Sequence, residues 1–305
     1  MDPVTVAAVQ AAPVFLDRDA TTDKAVDLIA KAAAEGARLI VFPETFIPTY
    51  PDWVWRAAAW HDGPFVRRLY EQSVEVPGPV TDRLGEAAVA AGAYVAMGVN
   101  EIAGGTLYNT LLYFAPDGSL AGRHRKLMPT GGERTVWGMG DGSTLDVVRT
   151  SFGVVGGLLC WENYMPLARV AMYAQGVDIY LAPTWDNSDT WVASMRHIAK
   201  EGRVYVIAVA PLLRGGDVPA ELRGDLYGDA DDWCSRGGSV IVAPRGEVLV
   251  GPVTEREEIL YAQADAAVAR AARREFDPVG HYARPDVLRL TVDTTPRPPV
   301  RFEHD

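Results

Sequence analysis

Only two of the 305 residues are cysteine, Cys160 and Cys234, and five are histidine. So low a thiol count provides no disulfide framework and suits free thiols in a cytoplasmic chain, one of them a candidate nucleophile. No pair of these residues has Cys-x-x-Cys or His-x-x-x-His spacing, so no metal site is expected. Long apolar runs are also missing. The longest, Val204 to Leu213, is far short of the roughly 18 residues of a membrane helix. The first residues, Met1-Asp2-Pro3-Val4, put an acid and a proline where a secretory signal is basic and then apolar. Positive charge is scarce: 29 Lys and Arg stand against 40 Asp and Glu, a net −11 with no basic block, which argues against a nucleic-acid partner. Nor does a G-x-G-x-x-G follow the first apolar segment, so a dinucleotide fold lacks its fingerprint.

What is there reads as a globular α/β chain, 48% hydrophobic and 23% charged. Val4 to Ala12 has the pattern of a buried strand, Thr22 to Glu35 that of a helix stopped by Gly36, and Leu39 to Phe42 that of a second strand. The stretch Gly36 to Glu44 matches Gly176 to Thr184 in its punctuation: a helix stop, a polar residue, an apolar run and a proline. Gly92 to Val99 matches Gly202 to Val209 in the same way. Two such helix-then-strand pairs predict an internally pseudo-symmetric fold. Hairpins are expected around Pro116-Asp117-Gly118 and Pro244-Arg245-Gly246, which implies mixed sheets. Two sheets face to face, each covered outside by helices, would use every element. Length alone suggests about two domains; the repeat reduces them to one, over residues 1–290, with a C-terminal tail at 291–305.

Three residues carry candidate chemistry. Cys160 ends the apolar run Val154 to Cys160, ahead of a helix opened by Pro166. It reads either as a nucleophile whose thiolate is stabilised by helix N-terminal N–H groups or as a small buried hydrophobe. Glu44 closes another apolar strand with no cation near it in sequence. It is either a desolvated general base or a capped surface carboxylate. Lys126 ends the run Arg123-His124-Arg125-Lys126; such a run is usually a solvated face, but the following Leu127-Met128-Pro129 allows Lys126 to turn inward while its neighbours meet water.

These residues carry a resemblance. Phe42-Pro43-Glu44, the segment Arg125 to Arg134, and Gly157 to Asn163 with its Cys160-Trp161-Glu162-Asn163 resemble the Glu, Lys and Cys motifs of the nitrilase superfamily of carbon–nitrogen hydrolases. The similarity continues through Tyr173 to Asp186, Ser194 to Ala199 and Gly280 to Asp286, nearly the whole chain. The Cys160 and Glu133 segments resemble the nitrilase branch more than amidases or carbamoylases. The resemblance implies a four-layer αββα sandwich, Cys160 as nucleophile, Glu44 as general base, Lys126 as a cation beside the reacting carbon, and Glu133 as a second organising carboxylate. The implied reaction takes an organic nitrile to carboxylic acid and ammonia through a Cys thioimidate and thioester, without cofactor. Amide or carbamoyl hydrolysis on the same residues is the alternative. A homodimer or larger homo-oligomer is implied by analogy; the family's larger members extend beyond the motif at Gly280 to Pro285, and only 20 residues follow Pro285 here, which argues against long filaments.

Aromatics cluster near the motifs, and Tyr50, Trp161 and Trp185, each shortly past a strand end, are the candidate substrate-binding residues. Such a lining favours an aryl or arylaliphatic nitrile. Two rivals are weaker. A Cys/His hydrolase with His124, His197 or His281 as base leaves Glu44 and Lys126 without work. A binding protein that has lost catalysis would have no reason to keep all four catalytic residue types.

Overall fold

The computed structural model describes residues 2–58, 60–298 and 300. The first half runs β1 (Val4–Gln10), α1 (Arg18–Ala34), β2 (Leu39–Val41), α2 (Gly63–Gln72), β3 (Val74–Glu75), α3 (Pro79–Ala91), β4 (Tyr94–Ala103), β5 (Thr106–Phe114) and β6 (Leu120–Arg125). The second runs β7 (Val148–Thr150), β8 (Gly153–Gly157), α4 (Pro166–Ala174), β9 (Ile179–Pro183), α5 (Asp189–Gly202), β10 (Tyr205–Val209), β11 (Leu212–Arg214), α6 (Ala220–Arg223), β12 (Trp233–Val242), β13 (Val248–Thr254), β14 (Glu258–Ala264) and α7 (Ala266–Ala272). Helix α1 starts ahead of Thr22 because Asp17 accepts from Ala20 N at 2.9 Å and so caps it; apolar periodicity marks a helix face, not its cap.

The strands form two seven-stranded sheets, in order β14-β1-β2-β4-β5-β6 with β3 on β4, and β11-β12-β10-β9-β8-β7 with β13 on β12. The sequence repeat falls at corresponding places in each: β2 pairs parallel with β4, and β9 pairs parallel with β10. The expected hairpins are β5–β6 and β12–β13. The last strand leaves the second sheet and pairs antiparallel with β1, from Val4 opposite Ala264 to Gln10 opposite Glu258.

Alternation assigns the layers. Val6, Ala8, Leu39 and Val41 pack inward against Ile179, Leu181 and Ile207 of the other sheet. Ala7, Val9 and Ile40 point outward under Ala25 and Ile29 of α1 and Leu84 of α3. Met172 of α4 and Trp191, Met195 and Ile198 of α5 cover the second sheet in the same manner. The result is an αββα sandwich. Among the described residues no helix is long and apolar enough to cross a membrane. The described part of the tail lies on the turn Gly142–Thr144, with Arg297 N donating to Asp141 at 2.7 Å; residues 301–305 lie outside the described residues.

Candidate active site

β2 delivers the chain outward through Phe42 and Pro43 to Glu44. A side chain on Gly98 of β4 would come within 2.2 Å of the Pro43 carbonyl oxygen and 2.5 Å of Thr45 N, so bare backbone lets this turn lie flat on the sheet. Glu44 is 1% exposed. Its Oε1 accepts from Asn109 Nδ2 at 2.7 Å and Lys126 Nζ at 2.8 Å, and its Oε2 accepts from Trp185 N at 2.8 Å. The same Nζ donates to Glu133 Oε2 at 2.8 Å, which also accepts from Thr130 N at 2.7 Å. Tyr50 donates its hydroxyl to Glu133 Oε1 at 2.6 Å. One buried ammonium thus bridges two buried carboxylates, and the cation missing near Glu44 in sequence arrives from the end of β6.

Burial raises the Glu44 carboxyl, with Lys126 opposing and Glu133 adding to the rise. Burial works against the charge on Lys126, but the carboxylates of Glu44 and Glu133 outweigh it and hold the ammonium protonated. Burial, then the neighbouring carboxylates, keep Tyr50 protonated and therefore a donor.

Cys160 lies where the chain leaves β8, with φ of +50°, a left-handed conformation that costs a non-glycine residue about 1–3 kcal/mol. Asn163 compensates: its Nδ2 donates to the Leu158 and Cys160 carbonyls at 3.0 and 2.8 Å, and its Oδ1 accepts from Tyr180 OH at 2.8 Å. The expected helix field is not at the thiol. A single 3₁₀ turn, Cys160–Tyr164, intervenes before α4 begins at Pro166. Burial first and the Glu44 carboxylate second push the Cys160 thiol up, with Lys126 pulling the other way. The resting group is therefore a thiol beside a carboxylate.

A cavity of about 620 Å³ opens over this cluster at the carboxyl ends of β2 and β9, lined by Tyr50, Trp55, Thr130, Gly131, Glu133, Cys160, Trp161, Trp185, Asp186, Asn187 and Ser188. The structure thus brings together Glu133, Cys160, Tyr50, Trp161 and Trp185 at the wall, with Glu44 and Lys126 bonded behind them. Tyr50 and Trp185 stack at 4.4 Å with an interplanar angle of 8°. Trp161, half exposed, forms the rim and donates Nε1 to Asp186 Oδ2 at 2.8 Å. Sequence reasoning missed Trp55, whose Nε1 donates to Tyr50 OH at 3.0 Å; its membership of the aromatic cluster was the available signal. In that cluster Trp53 is core and Trp60 is exposed. The basic run is not the solvated face expected around Lys126: His124 is 2% exposed and faces Glu162, while Arg123 and Arg125 pair with the buried Glu101. His197 pairs with Glu201 on α5, and among the described residues no histidine lines the cavity.

A sequence model of the carbon–nitrogen hydrolase family matches residues 5–274. An aliphatic nitrilase of Sinorhizobium fredii is 49% identical, over 96% of this chain and 97% of its own. Nitrilase 2 of Arabidopsis thaliana is 44% identical, over 96% and 90%. Among solved structures, a carbon–nitrogen hydrolase of Helicobacter pylori superimposes with a TM-score of 0.75 at 22% identity, covering 93% of this chain and 97% of its own. A Saccharomyces cerevisiae member of branch 10 of the nitrilase superfamily gives 0.72 at 22%, covering 92% and 96%.

Proposed function

The chain belongs to the carbon–nitrogen hydrolase family, and from that membership we propose that it hydrolyses an organic nitrile to the carboxylic acid and ammonia. One observation carries the reading: a single ammonium, Lys126, bonded to two carboxylates beside a buried thiol, at the floor of an aromatic cavity. Cys160 Sγ attacks the nitrile carbon while Glu44 takes the thiol proton and passes it to the nitrogen, giving a thioimidate. Water, deprotonated by Glu44, adds to that carbon. Lys126 stabilises the charge that develops, and ammonia leaves a thioester. A second water, activated in the same way, releases the acid and the thiol. Glu133 holds Lys126 charged and aimed throughout. The relatives named as nitrilases, 49% and 44% identical, support nitrile over amide as substrate.

The test is a side-by-side assay of nitriles and the matching amides for ammonia and acid. Ammonia and acid in equal amounts from nitriles are expected; turnover of amides with none of nitriles overturns the reading in favour of an amidase. The indole and phenol walls favour an arylaliphatic substrate. Phenylacetonitrile should exceed butyronitrile in kcat/KM, and the reverse order favours the aliphatic preference that the Sinorhizobium relative's name carries.

Gly131 supports that preference. Its φ is +50°, and a Cβ there would stand 3.0 Å from two ring carbons of Trp55. Gly131→Ala should cost about 1 kcal/mol of stability. Its larger effect is on specificity: displacing the indole lowers kcat/KM for phenylacetonitrile by about tenfold more than for butyronitrile, a change of roughly 1.4 kcal/mol. Equal losses on both substrates would refute a specificity role for this contact.

The proposal includes one catalytic domain over residues 1–290 with a tail at 291–305, supported by the family match over 5–274. It also includes a cytoplasmic setting that keeps Cys160 and Cys234 free. A homodimer or larger homo-oligomer suits the exposed Leu167, Val287 and Leu288.

A further inference from the structure

Two motif residues have no part in that chemistry: His124, in the basic run, and Glu162, two places after the nucleophile. Both are buried, 2% and 1% exposed. Glu162 Oε1 accepts from Leu127 N at 2.5 Å, and Oε2 accepts from Leu159 N at 2.8 Å. Leu127 follows Lys126 where the chain leaves the first sheet. Leu159 precedes Cys160 where it leaves the second. One carboxylate therefore grips the backbone beside both groups. His124 Nε2 stands 3.0 Å from Glu162 Oε2, and its Nδ1 stands 3.1 Å from the Thr144 carbonyl oxygen. Both partners only accept, so both ring nitrogens carry protons and the ring is an imidazolium.

We propose that His124 and Glu162 are a positioning pair that fixes the spacing of Lys126 and Cys160 by clamping the two sheets together at the backbone next to each. The inference rests on the nitrile-hydrolysis reading above. Neither residue touches substrate. Their part is to keep the ammonium and the sulfur in attack register, where a displacement of about 1 Å costs about 10²-fold in rate.

The other titratable groups near Glu162 are the hydroxyls of Tyr113 on β5 and Tyr180 on β9, both kept neutral by burial, so His124 is the counter-ion. Burial alone would raise Glu162, but the imidazolium and the two N–H donors hold it below the usual carboxylate range. Burial likewise opposes the charge on His124, and Glu162 outweighs it and raises the ring. The clamp is thus complete between the two values. It is lost as pH falls through that of Glu162, and its cation is lost as pH rises through that of His124.

The test compares His124→Gln and Glu162→Gln with the parent in kcat, KM and pH profile, and in the rate at which iodoacetamide alkylates the Cys160 peptide. Both variants should lose roughly 10- to 100-fold in kcat with KM changed less than about threefold. In His124→Gln, Glu162 keeps its charge only at higher pH. The acid limb of kcat should therefore move up by at least about one pH unit; in Glu162→Gln no carboxylate is left to titrate at that place, so its deficit against the parent should hold through neutral pH and shrink as pH falls through the parent's Glu162 value. Alkylation of Cys160 should slow about tenfold in both, because Glu44 no longer meets the thiol. Variants with the parent's kcat, pH profile and alkylation rate overturn the inference. If one variant does not fold, the other carries the same comparison. Absence of nitrile turnover by the parent is a separate failure, of the nitrile reading, and the alkylation rates still decide this one.

Discussion

Cys160→Ala should abolish turnover, with kcat at least about 10⁴-fold below the parent, while the circular dichroism spectrum stays unchanged. The size of the loss follows from the proposed covalent catalysis: among the described residues no other group lining the cavity is a thiol, and a nitrile carbon is too weak an electrophile for water alone. The melting temperature should hold or rise. The substitution removes a sulfur from a buried site but leaves the Asn163 bonds to the Leu158 and Cys160 carbonyls, which involve only backbone at position 160. Ammonia release from a nitrile at enzyme concentrations high enough to see a 10⁴-fold deficit measures the first point, and a thermal melt the second. Residual activity within about tenfold of the parent would mean that another nucleophile acts.

Lys126→Ala should remove activity as completely and, unlike the first variant, should also destabilise the fold, by about 3–5 kcal/mol near neutral pH. Deleting the ammonium leaves Glu44 and Glu133 facing each other in the dark interior, each short of its cation. The pH dependence follows from the sign. Burial already raises Glu44, and without Lys126 the rise is greater, so ionisation costs folding energy. The loss is therefore absent below the ordinary glutamate value of about 4.3 and grows as pH rises through the range between that value and the raised one. Urea titrations of parent and variant at pH 4 and pH 7 should show the gap open with pH. A gap of the same size at both would assign it to the lost packing of the lysine stem.

The sandwich was legible because its signals are local. Apolar strands buried on both faces, helix-stop glycines and the turns at Pro116-Asp117-Gly118 and Pro244-Arg245-Gly246 each act over a few residues, and the repeat of Gly36 to Glu44 at Gly176 to Thr184 announced the second half. The site was legible only as separate motifs. Nothing around Glu44 tells that its cation lies 82 positions away or that Trp185 N, 141 positions away, is its third donor. Such contacts come from two sheets converging at their carboxyl ends. His124 was misread for a related reason: in a run of basic residues the pattern shows alternation but not which alternate face is roofed, and here both His124 and Lys126 lie under the second half of the chain. The helix field at Cys160, one of two readings of that residue, is missing because a 3₁₀ turn separates it from α4, and burial together with the Glu44 carboxylate, which comes from the other sheet, keeps the group a thiol.

The return of β14 to β1 also has a meaning for synthesis. Glu44, Lys126 and Glu133 leave the ribosome well before Cys160, and all precede the strand that completes the first sheet. Until Glu258 to Ala264 emerges, β1 presents a bare edge, apolar on both sides, to whatever chain is near. Closing that edge takes a partner some 250 residues downstream, a non-local pairing of the kind that slows folding, and the first sheet is completed only after every residue of the cavity wall has been made.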